Sequence, residues 1–308
     1  MAQRVIEVKT TLTTFMRKIA LLLQGITVSR GISASRRIAA GSIVLFAVSA
    51  SFYASAEEGL HSTFDNLLSK YVTPISNGAS TQVNYDGFKK ERNTLNEYLA
   101  RLSKIEQSKF DSWDKDKQLA FLINAYNAYT IAFILTEYPD IASIRDLGSF
   151  FSSPWKKEIA PLLGETRTLD EIEHELIRGT NQTTKTYNEP RIHFAVNCAS
   201  VGCPALREEA YTGNKLDEQL EAQTKRFLSD SARNKMSGDT LYLSKIFDWY
   251  SEDFEGKYGE WRDTSTLNEF ILLYKDAMRL TEAQVSALKN NTADIEYLNY
   301  DWALNVAQ

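Results

Sequence analysis

The chain has 308 residues, 43% apolar and 24% charged, which is ample for a core and excludes a disordered, collagenous or coiled-coil polymer. Two cysteines exclude a disulfide-dense scaffold and any four-cysteine zinc module. The net charge of −5 is unevenly spread: residues 1–56 hold seven Lys or Arg against one acid, Glu7, so the remainder stands at −11 and would repel a phosphate backbone. Nucleic acid is therefore not an expected partner.

Arg36-Arg37 precedes nineteen uncharged residues, 38–56, with an apolar centre at Ile43 to Val48 and the end Ala54-Ser55-Ala56 before Glu57-Glu58. A basic flank, a short apolar centre and small residues at −3 and −1 are what signal peptidase reads. The expectation is cleavage after Ala56 and export to the periplasm. The alternative is an uncleaved inner-membrane anchor, for which nineteen residues just suffice; Ser42, Ser49, Ser51 and Ser55 count against it. The domains then read as a leader with signal or anchor over 1–56 and one exported globular domain over 57–308, with membrane contact only through 38–56 if uncleaved.

Within 57–308, Leu60, Phe64, Leu67 and Leu68 predict a helix over 61–71, ended by Thr73-Pro74. A short extended piece at Val83 to Tyr85 leads into a helix from Tyr85 to Leu102. The longest pattern, Lys117 to Tyr138, is apolar on every face and predicts a buried axial helix. A hairpin is expected across Gly164. Thr168, with Glu171 three residues on, caps a helix from Leu169 to Gly179. Arg191 to Cys198 alternates like a strand and runs into a Ser/Gly/Pro turn. Next in order are a helix over Leu216 to Leu228, a strand over Thr240 to Leu243, a helix over Lys245 to Phe254 capped by Ser244, and a closing strand over Ile295 to Leu304. The fold class is α+β: a mainly helical single domain around a buried axial helix, with a small, mostly antiparallel sheet.

Three segments carry candidate chemistry. On a strand, Arg191, His193, Ala195 and Asn197 share one face, while Ile192, Phe194, Val196 and Cys198 share the other. On its helix, Glu173 projects into the middle of the arc formed by Leu169, Ile172, Leu176 and Ile177, with His174 at the edge. A carboxylate there must be paired, hydrogen-bonded or protonated. Asn124 and Asn127, one turn apart on the axial helix, need partners for both amide oxygen and NH₂. The catalytic candidates are Glu173, His174, His193 and Cys198, and the substrate-binding candidates are Arg191, Asn124, Asn127 and Asn197. A plain structural network built from the same groups is the bland alternative.

Cys198 and Cys203 admit three readings: a Cys–His nucleophile, a loose metal site with His174 and His193, or a disulfide. An oxidising periplasm favours the disulfide for the only two cysteines. No nucleotide-binding glycine loop, G-x-S-x-G elbow or H-E-x-x-H appears, and His61 reads as peripheral, so no metal or cofactor is expected.

The segments AFLINAYNAYTI (Ala120 to Ile131), LDEIEHELIR (Leu169 to Arg178), RIHFAVNCASVGCP (Arg191 to Pro204) and LSKIFDWYSEDF (Leu243 to Phe254) resemble the family known as domain of unknown function 547, over about residues 110–254. The resemblance implies a family and no activity. A thiol-peptidase or transglutaminase-like core is an analogy only, since histidine precedes cysteine here. The expected function is an exported domain with a polar Glu/His/Arg/Asn pocket, acting as a hydrolase or transferase on a small anionic or peptide-like substrate. The alternative is a non-catalytic envelope binding or scaffolding module locked by a disulfide.

Overall fold

The helical spacing of Phe64, Leu67 and Leu68 is realised in α1, residues 59–71, in a computed structural model that describes residues 59–149, 152–179, 186–256 and 261–307. The apolar stretch 38–56 lies outside the described residues. Among those described, no helix is long and apolar enough to cross a membrane. His61 is not peripheral: it is 4% exposed, its Nδ1 2.7 Å from the Tyr98 hydroxyl, because it sits on the same buried helical face as Phe64.

The chain then turns through an antiparallel pair, β1 (Val72–Ile75) and β2 (Ser80–Val83). The expected single helix from Tyr85 to Leu102 is two, α2 (Tyr85–Lys90) and α3 (Arg92–Leu102). The break is at Glu91, which leaves helical geometry at φ −104° and ψ 27° and whose carboxylate is held by Lys70 and Tyr71. The short α4 (Gln107–Asp111) leads to α5 (Lys115–Ile134), the axial helix. Asp114 caps α5 by accepting from the Lys117 N–H at 2.8 Å, and every residue from Gln118 to Ile131 is buried. Such a helix gets no orientation from an apolar stripe; its neighbours on all sides position it.

The hairpin across Gly164 forms as β3 (Ala160–Leu162) and β4 (Glu165–Arg167). Thr168 and Glu171 make the reciprocal capping box, at 3.0 and 2.6 Å. The helix they cap is a π-helix over Glu171–Ile177, in which the Arg178 N–H donates to the Glu173 carbonyl five residues back at 2.9 Å.

The segment from Arg191 to Cys198 is not a strand. Pro190–Phe194 is a 3₁₀ turn, with Pro190 near its start and the Glu189 carboxylate accepting from the Arg191 N–H. All residues from Pro190 to Asn197 are buried, so the alternating pattern has no solvent face to mark. Next come α6 (Leu216–Leu228), β5 (Lys235–Ser237) antiparallel to β6 (Thr240–Leu243), α7 (Ile246–Trp249) and α8 (Ser251–Phe254). The chain ends through α9 (Leu267–Leu273), α10 (Glu282–Lys289) and β7 (Asp294–Tyr297), which pairs parallel with β6. The expected closing strand is therefore shorter, with Leu304 making only an isolated bridge to Ser200.

The result is the expected mainly helical α+β fold, with small, mostly antiparallel sheets. Its core has two apolar clusters. One wraps α5 with Phe64, Phe88, Leu95, Tyr98 and Ile172. The other joins Phe194, Phe227, Phe247, Phe254 and Phe270. The 3₁₀ turn links them, sending Ile192 into the first and Phe194 into the second.

Candidate active site

A cavity of about 230 Å³ opens where α5, the π-helix, the 3₁₀ turn and α7 approach one another. Six aromatic side chains line it: Tyr126, Trp155, Trp249, Tyr250, Tyr300 and Trp302. Asp170, Glu173, His193 and Cys198 supply its polar and sulfur groups, and among the described residues no lysine or arginine lines it.

Glu173 is 6% exposed. The Tyr250 hydroxyl donates to its Oε1 at 2.7 Å, and the Tyr126 phenol lies near enough to feel its charge. Burial, reinforced by the Glu173 charge, pushes both phenols well above their usual range, so both remain donors at neutral pH. Burial also raises the Asp170 carboxyl.

His193 is 2% exposed, its ring stacked on Tyr250 with centroids 4.0 Å apart. Its Nε2 lies 2.7 Å from Asp253 Oδ2, and the same oxygen accepts from Arg178 Nε at 2.7 Å. Burial lowers the His193 pKa against the opposing pull of Asp253. Asp253 itself is held far below the usual carboxylate range; burial opposes this, but the His193 and Arg178 contacts win. A neutral ring that donates from Nε2 carries its lone pair on Nδ1, and that buried nitrogen has no hydrogen-bond partner among the described residues. Asp253 thus fixes the tautomer, and Arg178 fixes Asp253. Arg178 also meets His174 Nδ1 at 2.8 Å; because a guanidinium only donates, the His174 proton sits on Nε2.

Residues 110–228 match the family described as "Protein of unknown function, DUF547". The chain resembles that family. No curated protein and no solved structure matches. The family segment carries α5, the π-helix, the 3₁₀ turn and both cysteines, while Tyr250, Asp253 and Tyr300 lie beyond it.

The structure gathers Glu173, His174 and His193 into one chain of contacts, but through residues that are not among the sequence candidates. Tyr250 bridges Glu173 to His193, and Asp253 and Arg178 bridge His193 to His174. Asp253 has a legible signal, since it falls seven residues after Ile246, within the arc of Phe247, Tyr250 and Phe254. The aromatic lining has no such signal, because it comes from four separate stretches of chain.

Arg191 stands apart from the cavity. Its guanidinium is bound by Glu189 (2.7 and 2.8 Å), Asp217 (2.7 Å) and Glu221 (3.2 Å), and lies 5.1 Å from the Trp261 ring centroid. With its forks filled by carboxylates, it does not present a charge to an anionic substrate. The three asparagines likewise serve the backbone. Asn124 exchanges two bonds with Tyr211, at 2.8 and 2.9 Å. Asn127 accepts from the Asn197 N–H and donates to the Ala195 carbonyl. Asn197 bonds the Pro204 carbonyl and the Ala199 N–H. These contacts replace the strand ladder that the 3₁₀ segment lacks.

Cys198 and Cys203 are bridged, their Cα atoms 6.1 Å apart, within the usual span. Cys198 is therefore no free nucleophile in this state. Among the described residues, no group of three or more His, Cys, Asp or Glu side chains is placed to hold a metal ion.

Proposed function

We propose that residues 57–308 form an exported acid–base enzyme, a hydrolase or transferase acting on a neutral or amine-bearing, peptide-like substrate. The observation that carries this reading is His193: a neutral imidazole, oriented by a buried carboxylate, with an unused lone pair, on the wall of an aromatic cavity that also holds Glu173. An oriented, neutral imidazole is what general-base catalysis needs at physiological pH, and Glu173 is placed to assist proton transfer or stabilise positive charge. Substrate charge follows from the lining. Two carboxylates and six aromatic faces, with no lysine or arginine among the described lining residues, favour a cation or a neutral group over an anion. Export is supported by the signal-like stretch 38–56 and by the pairing of the only two cysteines.

One observation favours a second reading, a non-catalytic binding module. The side chains of His193, Asp253 and Arg178 are 1, 4 and 10% exposed, as in a sealed structural network. Screening the exported domain against amide, ester and amine-transfer substrates separates the two. Turnover that disappears in Glu173→Gln and His193→Gln, with the fold retained, supports the enzyme. Ligand binding without turnover, together with unfolding of both variants, supports the module.

A further inference from the structure

The Cys198–Cys203 bridge is chemically asymmetric. Cys198 is half-buried and borders the cavity, whereas Cys203 is 2% exposed and does not. Three donors converge on Cys203 Sγ: the Cys198 N–H at 3.0 Å, the Ser200 N–H at 3.3 Å and the Tyr300 hydroxyl at 3.3 Å. Tyr300 also lies 3.0 Å from Cys198 Sγ, and since a disulfide sulfur has no hydrogen, the phenol is the donor to both. A disulfide sulfur is a weak acceptor that needs none of this, whereas a thiolate is stabilised by such a cradle.

The loop that carries the cradle has anchors besides the bridge. Ala199 takes a left-handed φ of 63°, and its N–H is held by Asn197 at 2.9 Å. The Val201 and Gly202 N–H groups are pinned by the Ala303 and Asp301 carbonyls at 2.8 Å. An added Cβ at Gly202 would lie 3.0 Å from the Asp301 backbone, which shows how closely the loop packs there.

We propose that the bridge is a thiol–disulfide exchange site, opened through the cavity by a small thiol. The incoming thiolate attacks Cys198 Sγ and forms a new S–S bond. The Cys198–Cys203 bond breaks with its electron pair on Cys203, whose thiolate is received by the two N–H groups and Tyr300. A second thiol of the same kind attacks the mixed disulfide, leaves as the small-molecule disulfide and releases Cys198. In total, two thiols are oxidised to one disulfide while the protein bridge gains two electrons and two protons. Direction is set by the site, because only Cys198 meets the cavity and only Cys203 accepts the two backbone N–H groups. This goes beyond the acid–base reading and needs the cavity only as an entrance.

The test uses 2-mercaptoethanol on the oxidised exported domain, with acid quenching, intact mass and peptide mapping. The adduct is expected on Cys198, with Cys203 free. In Cys198→Ser, alkylation against pH should show Cys203 titrating at least one unit below the ordinary value of about 8.5, and adding Tyr300→Phe should raise it. Adducts on Cys203 or equally on both, a Cys203 titrating at or above the ordinary value, or a bridge opened only in denaturant would each overturn the proposal. If Cys198→Ser does not fold, adduct mapping on the unaltered chain decides alone. None of these readouts needs turnover, so the exchange site and the acid–base enzyme fail separately.

Discussion

At the scale of single residues, burial alone does not distinguish a catalytic group from a structural one; the partners do. Glu173 is held by the Tyr250 phenol, which donates equally well to an amide oxygen. Glu173→Gln is therefore expected to change unfolding free energy by no more than about 1 kcal/mol, while lowering turnover by on the order of 10²-fold or more. Chemical denaturation and kcat on the same preparations check both. Asn127 is the opposite case. Asn127→Ala leaves the Ala195 carbonyl and the Asn197 N–H buried without partners, and should cost about 2–5 kcal/mol in urea unfolding. With His193 as the proposed base, its titration would set the acid limb of activity. Because burial lowers its pKa, the limb of kcat/KM against pH should have its midpoint below the ordinary histidine value of about 6.5.

At the scale of elements, helix propensity and packing give opposite answers at Gly87 in α2. Alanine is the better helix former by about 1 kcal/mol. Yet a Cβ there would lie 2.2 Å from the Tyr71 ring, which is fixed by its 2.5 Å hydrogen bond to Glu91. Overpacking of that kind costs about 1–3 kcal/mol, so Gly87→Ala should destabilise, read as a lower urea midpoint at unchanged slope. The packing of α1 also has a pH signature. Burial, with the charges of Lys117 and Arg101, lowers the His61 pKa to about 3. The unfolded chain then takes up the proton first, near pH 6.5. Stability is full above that value and falls, by up to about 1.4 kcal/mol per unit, as pH drops toward 3. His61→Phe should flatten the slope of stability between pH 6.5 and 4, whatever constant offset it adds.

At the scale of the whole molecule, cleavage after Ala56 predicts an exported protein whose intact mass begins at Glu57; a full-length membrane-bound product would mean an anchor instead. The local features of the fold are legible in the amino-acid sequence alone. α5 is buried because it is apolar on every face, α6 keeps its expected bounds, and Glu173 is buried by its helical phase. Each follows from periodicity or capping within a few residues. Strand-like alternation misleads at Arg191 to Cys198, where every residue from Pro190 to Asn197 is buried and no exposed row alternates with a buried one. The site itself is decided by the tertiary structure. Glu173 meets Tyr250 across 77 residues, His193 meets Asp253 across 60, and Arg191 is drawn away to Asp217 and Glu221. Periodicity says which side of an element is buried, but only the folded chain determines which buried group it meets there. A carboxylate, an imidazole and a guanidinium become a site or a strut according to that meeting.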